Sequence, residues 1–225
     1  MKSCPDELYH LDEVLRQYAR LQLKSADISA ELLKKGVPDR RLEAMPLLYT
    51  SLLSRHEMLL DSYLGKGAGL TKEQLNHAHR KSSALSSFSG QLASAGIPAT
   101  LHHDDFHDAN ILVHLKGIHF IDWGEASIAH PFYSLLIMKR SLSYHLKLDS
   151  RDPALMRLTD LYLEMWEDYG SKMQLREAFT IAQKLAVINR CFTRNGILSG
   201  LSLQEQGEDF DTVAAWLKEW LTAAA

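Results

Sequence analysis

The sequence predicts a mainly α protein with one small β-hairpin. Apolar residues recur at helical spacing through most of the 225 residues, and Gly and Pro punctuate them at helix-length intervals. Only 111–122 reads as a pair of strands. The 46% hydrophobic and 24% charged composition suits a soluble globular chain long enough to bury a core.

From Asp6 to Lys35, residues Leu8, Leu11, Leu15, Tyr18, Leu21, Leu23, Ile28, Leu32 and Leu33 suit the spacing of one or two amphipathic helices, and Gly36 with Pro38 supplies a stop. Asp39 is placed to cap the next segment, and Leu47 to Leu60 is again helical in pattern. The glycine-rich LGKGAGLT, Leu64 to Thr71, lacks the Gly-Lys-Ser/Thr ending and the preceding strand of a phosphate loop, so it reads as an interhelical break. Thr71 and Gln74 form a capping box, in which hydroxyl and amide satisfy each other's open N–H groups. The helix they open is expected to reach about Ala95 and stop at Gly96.

Ile111–Leu115 and Ile118–Asp122 read as strands joined by a Lys116-Gly117 turn. That register sets Leu115 opposite Ile118, Val113 opposite Phe120, and Ile111 opposite Asp122. It pairs His114 with His119 on the other face and brings Asn110 beside Asp122. From there helices are expected to the end: Pro131–Leu146, a segment capped by Asp152 and ending at Gly170, one opened by Ser171 and Gln174 and reaching about Arg194, and Leu203–Leu221.

A net charge of −3 with no basic run gives no electrostatic reason for a nucleic-acid partner. No window approaches 18 uninterrupted apolar residues, and MKSCPDELYHLDE lacks the apolar core of a signal peptide, so no membrane partner and a cytoplasmic location are expected. Cys4 and Cys191, far apart in the chain, read as two free thiols in a reducing compartment.

The chemistry is concentrated in Leu101 to Gly124, which gathers histidines and acids more densely than any other stretch. Phosphoryl transfer needs an acid near the attacking hydroxyl and oxygen ligands for the cation that carries the nucleotide phosphates. Asp105, Asn110 five residues on, and Asp122-Trp123-Gly124 supply these types in the required order, with His103 two residues before the first Asp. Two other classes stay open on the residues alone. A metal-dependent phosphohydrolase could use the imidazoles and carboxylates of 102–108, and a non-catalytic binding module would need only turn and cap roles for Asp105, Asn110 and Asp122.

His103-Asp-Asp-Phe-His-Asp-Ala-Asn110-Ile-Leu, with Ile121-Asp-Trp-Gly-Glu-Ala126 and His130-Pro131, resembles the aminoglycoside phosphotransferase and choline kinase-like family, small-molecule kinases of protein-kinase-like fold. The resemblance implies Asp105 as catalytic base, Asn110 and Asp122 as Mg²⁺ ligands, and His103 and His107 in support. ATP and Mg²⁺ are the implied cofactors, and a small hydroxylated acceptor the implied substrate. Acids such as Glu164, Glu167 and Glu208 could favour a cationic one. The chain departs from the family at Asp104, where Gly is usual, at Asp108-Ala109, where Pro-Gly is common, and at Ser134, where an Asp is frequent.

About a hundred residues precede Asp105, all reading as helix or loop. The expectation is therefore a C-terminal kinase-like lobe without its N-terminal β-lobe, a truncated phosphotransferase. It would form one domain over 1–225: helical segments over 1–96, the catalytic loop and metal-binding hairpin over 97–124, and C-terminal helices over 125–225. Such a chain is expected to bind ATP poorly by itself, to show little activity, and to self-associate through the surface an N-lobe would cover.

Overall fold

The computed structural model describes Leu8, residues 10–115 and residues 117–223. Cys4 and Lys116 lie outside the described residues, and with them the expected Cys4 thiol and half of the expected Lys116-Gly117 turn. In chain order the elements are α1 (His10–Ala26), α2 (Ser29–Lys34), β1 (Asp39–Arg40), α3 (Met45–Ser54), α4 (Asp61–Leu64), α5 (Lys72–Arg80) and α6 (Ser82–Ala93). Then come β2 (Thr100–His102), β3 (Ile111–His114), β4 (Gly117–Phe120), β5 (Ser127–Ala129), α7 (Leu135–Leu146), α8 (Pro153–Glu164), α9 (Lys172–Leu198), α10 (Leu203–Gln206) and α11 (Thr212–Ala223). The protein is mainly helical, as its periodicity implies.

The chain forms two compact units, each assembled from separate stretches. The first joins the described residues up to Asp39 with Ala95–Thr180. In it α1 buries Leu11, Val14, Leu15, Tyr18, Ala19, Gln22 and Ser25, a stripe at three- and four-residue spacing. Tyr18 stacks on Phe106 with ring centroids 4.0 Å apart. Phe132 packs edge-on against Tyr162 and Trp166, which are themselves tilted against each other, in an aromatic cluster at α8. The Asp152 side chain caps α8 by accepting from the Ala154 N–H.

The second unit joins Arg40–Ser94 with the chain from Ile181 onward. Thr71 and Gln74 make both bonds of the expected capping box at the start of α5. The glycine-rich loop closes through a Leu60–Leu70 bridge and a Gly67 N–H bond to Asp61 Oδ1. Tyr49 and Trp220 pack edge-on, and the buried Cys191 thiol, pushed upward by burial, lies 3.4 Å from the Val213 carbonyl.

Several boundaries differ from expectation. Asp39 enters β1 rather than capping a helix, and α3 starts from Ala44 without a side-chain cap. The helix expected through Ala95 breaks at Lys81, a buried residue whose ammonium donates to the Trp220 carbonyl. The segment after the hairpin is not helical throughout: β5 pairs antiparallel with β2, His102 opposite Ser127 and Thr100 opposite Ala129, in a sheet of order β1-β5-β2. Strands of three residues are too short to show a period of two. The helix begun at Pro153 ends at Glu164, short of Gly170.

Helix α9 runs past Arg194 and through Gly196, the expected stop. A Cβ at Gly196 would lie 3.4 Å from Arg40 Nη2, which donates to the Phe192 carbonyl, so the guanidinium packs against the helix beside the glycine. The last expected helix is split by Gly207, whose φ of 57° suits glycine.

The hairpin register is corrected as well. The pairs are Ile111–Phe120, Leu112–His119, Val113–Ile118 and His114–Gly117, two residues displaced from expectation. Leu115 therefore lies past the paired strand, and Gly117, paired with His114, has φ 132°. A two-residue displacement preserves the faces, because the side-chain period is also two. His114 and His119 still share a face, stacked at 4.7 Å, as diagonal rather than direct neighbours.

Candidate active site

The site lies within the first unit and begins where β2 ends. His102 and the two residues after it are buried, whereas the Asp105 and His107 side chains are partly open to solvent. A turn over Asp108–Asn110 follows, capped by His107, whose Nδ1 accepts from the Ala109 N–H. With Nδ1 accepting, the His107 proton sits on Nε2 and points to Asp105 Oδ2 at 3.2 Å. Asn110 Nδ2 donates to the Asp105 carbonyl at 2.9 Å and to the same Oδ2 at 3.3 Å. Two N–H donors thus converge on one carboxylate oxygen and fix its plane.

Asn110 also links the two ends of the motif. Its carbonyl accepts from the Ile121 N–H at 3.0 Å, continuing the β3–β4 ladder by one rung. Asp122 comes next, exposed and left-handed at φ 59°, ψ 60°. That conformation is unfavourable for a residue with a Cβ, though Asp tolerates it better than most. It places the carboxylate at the mouth of a turn that continues through Trp123 and Gly124.

His103 underpins this turn. Its Nε2 donates to the Ile121 carbonyl at 2.8 Å, and its ring lies 4.7 Å from that of Trp123. Burial pushes the imidazole below the usual histidine range, against the hydrogen bond to the Ile121 carbonyl, which pulls it up. Trp123 in turn donates from Nε1 to the Phe120 carbonyl. Its indole lines a groove of about 680 Å³ with Leu21, Ile28 and Leu101, and with Arg20 and Lys24 at the rim.

The structure brings Asp105, His107 and Asn110 into one hydrogen-bonded cluster and sets His103 behind the Asp122 turn. The remaining members of the His/Asp run turn elsewhere. His102 pairs with Asp104, and Asp108 accepts from Ser141 Oγ at 2.9 Å. Among the described residues no group of three or more His, Cys, Asp or Glu is arranged to hold a metal ion. Asn110 and Asp122 are a different kind of donor set, an amide and a carboxylate oxygen, which suits a hard cation sharing its shell with phosphate and water.

Sequence reasoning missed the polar residues behind the loop. The Tyr18 hydroxyl lies 2.7 Å from Ser134 Oγ, and its oxygen accepts from the His103 N–H at 3.0 Å. Ser134 Oγ lies 2.7 Å from His102 Nδ1. The available signal was slight: a phenol and an amide, Tyr18 and Gln22, lie on the buried stripe of α1. No helix among the described residues is long and apolar enough to cross a membrane.

No curated protein and no solved structure shows a significant match to the chain. A family model described as the phosphotransferase enzyme family matches residues 4–172, three-quarters of the length and the whole of this site. The chain belongs to the phosphotransferase enzyme family.

Proposed function

We propose that the chain carries the catalytic loop and metal ligands of a small-molecule kinase, which moves the ATP γ-phosphoryl group to a hydroxyl with the help of Mg²⁺. The observation that supports this best is the meeting of Asp105, His107 and Asn110 in one cluster, tied through Asn110 to the residue before Asp122. In this reading Asp105 accepts the hydrogen bond of the acceptor hydroxyl and orients it for attack. His107 and Asn110 hold the Asp105 carboxylate in place. Asn110, with its Nδ2 turned to Asp105, and the exposed Asp122 offer oxygens to Mg²⁺. When bound, the ion neutralises the charge between the nucleotide phosphates.

Phosphoryl transfer is catalysed mainly by positioning and electrostatic stabilisation. The described residues include no β-rich lobe with a lysine to pair with the phosphates, so we read them as the C-terminal lobe of a kinase-like fold. By itself the chain binds ATP weakly and turns over little. The acceptor in this reading is a small hydroxylated amine. Glu164 and Glu167 border a cavity of about 410 Å³ together with Asp160, whose charge is already met by Arg176 and Lys172. The groove beside Trp123, lined by Leu21, Ile28 and Leu101 with Arg20 and Lys24, is the surface for a covering lobe or, at high concentration, a second copy of the chain.

Paramagnetic broadening by Mn²⁺ with ATP tests the metal assignment. The Asn110 side-chain amide and the Asp122 backbone amide are expected to broaden first, and Asp122→Ala to lose the effect. No selective broadening there would overturn the reading. Whatever Mg²⁺-dependent transfer from labelled ATP is detectable should fall at least about 100-fold in Asp105→Ala. A robust rate from the chain alone would refute the need for a covering lobe.

A further inference from the structure

The catalytic loop carries two adjacent carboxylates, Asp104 and Asp105, and the structure sends them to different places. Asp105 is partly open beside His107 and Asn110, whereas Asp104 is buried with Oδ1 2.7 Å from His102 Nε2. The other nitrogen of the same imidazole leads to a buried polar chain. His102 Nδ1 meets Ser134 Oγ at 2.7 Å, and Ser134 Oγ meets the Tyr18 hydroxyl at 2.7 Å and Gln22 Nε2 at 3.5 Å. All of these side chains are buried.

The proton positions come from counting donors. The Tyr18 oxygen already accepts from the His103 N–H, and the nearest acceptor for its own hydrogen is Ser134 Oγ. Gln22 Nε2 donates to the Pro131 carbonyl at 3.1 Å and reaches Ser134 Oγ only at 3.5 Å, so the Tyr18 hydroxyl supplies the one short hydrogen bond that Ser134 Oγ accepts. The Ser134 hydrogen must then go outward, and His102 Nδ1 receives it. An imidazole that accepts at Nδ1 is neutral and carries its proton on Nε2, which faces the Asp104 carboxylate. A protonated Nδ1 would also donate to Ser134 Oγ and leave the serine hydrogen without an acceptor among these partners.

We propose that Tyr18, Ser134 and His102 are positioning residues that act through Asp104. Their directed chain, Tyr18 O–H to Ser134 O–H to His102 Nδ1, fixes the imidazole tautomer whose Nε2–H captures the Asp104 carboxylate and keeps it from Asp105. The proposal deepens the phosphotransferase reading, since it leaves a single carboxylate in the Asp105–His107–Asn110 cluster. The capture also ties the loop to α1 and to the turn over Pro131–Ser134, the elements that carry Tyr18 and Ser134.

The test is nitrogen-15 NMR of histidine-labelled full chain, which needs no turnover, so failure of the enzyme reading leaves it interpretable. The wild type should show His102 as the neutral Nε2–H tautomer at pH 7, and finding the Nδ1–H tautomer or the imidazolium there overturns the proposal. In Ser134→Ala the His102 nitrogen shifts should change, the His103 amide should exchange at least tenfold faster, and the Asn110 side-chain amide signals should move. Ser134→Thr, which keeps the hydroxyl, should restore all three. Wild-type signals in a folded Ser134→Ala overturn the proposal. If Ser134→Ala does not fold, Asp104→Asn decides: its amide oxygen still accepts from Nε2–H, so the wild-type tautomer should persist, and loss of that tautomer in a folded variant overturns it.

Discussion

At the scale of single residues, two side chains carry more than their sequence neighbourhood suggests. Asp122 is held left-handed at φ 59° in a turn that glycine would adopt without penalty. Asp122→Gly is therefore expected to raise stability by about 1 kcal/mol while abolishing Mn²⁺ binding. Urea unfolding and Mn²⁺ relaxation enhancement measured on the same sample would show the two effects moving apart. His130 is buried, and that burial pushes its imidazole down to about 3. An unfolded histidine titrates near 6.5, so between those values the unfolded chain holds one proton more and stability falls as pH falls. The slope from His130 should be about 1 kcal/mol per pH unit below pH 6. Urea midpoints at pH 7, 6 and 5 would measure it, and His130→Gln should flatten the profile even if it lowers stability at pH 7.

At the scale of elements, helix existence and helix ends had different legibility. The capping box of Thr71 with Gln74 and the Asp152 cap were readable because their chemistry is local. Gly196 looked like a stop and is helical, on a turn of α9 against which the Arg40 guanidinium, 156 residues earlier in the chain, packs. The hairpin was legible as a hairpin, and its faces as well, but not its register. Leu115 decides between registers. Opposite Ile118 it would be a paired residue, whereas at the loop its relative exposure is 108%. Leu115→Lys should change the unfolding free energy by less than about 0.5 kcal/mol. A loss of about 1 kcal/mol or more in thermal or urea unfolding would return Leu115 to the strand.

At the scale of the whole molecule, the two units are interleaved in the chain, so the site depends on contacts between residues far apart in sequence. Tyr18 and Ser134 are 116 positions apart and share one hydrogen bond. The same unit leaves Ile28 47% exposed at the groove beside Trp123. If that groove takes a second copy of the chain, sedimentation should show a concentration-dependent rise in mass, and Ile28→Asp should return the chain to monomer. A sharply monomeric wild type at high concentration would remove self-association from the account.

Some of this protein is set by sequence alone. Helical periodicity, local caps, the hairpin and the ordered spacing of Asp105, Asn110 and Asp122 are all short-range properties. Each is set by a few neighbouring residues, and together they carried the family resemblance that the match over residues 4–172 bears out. Tertiary structure alone decided where adjacent carboxylates go. Asp104 and Asp105 are neighbours in sequence, and nothing local separates them. Their difference comes from a phenol on α1 and a hydroxyl just before α7, which order the protons on His102 and draw one carboxylate into the core. Directed hydrogen bonds between distant segments exist only after the chain has folded, which is why spacing located the site and only the fold sorted its acids.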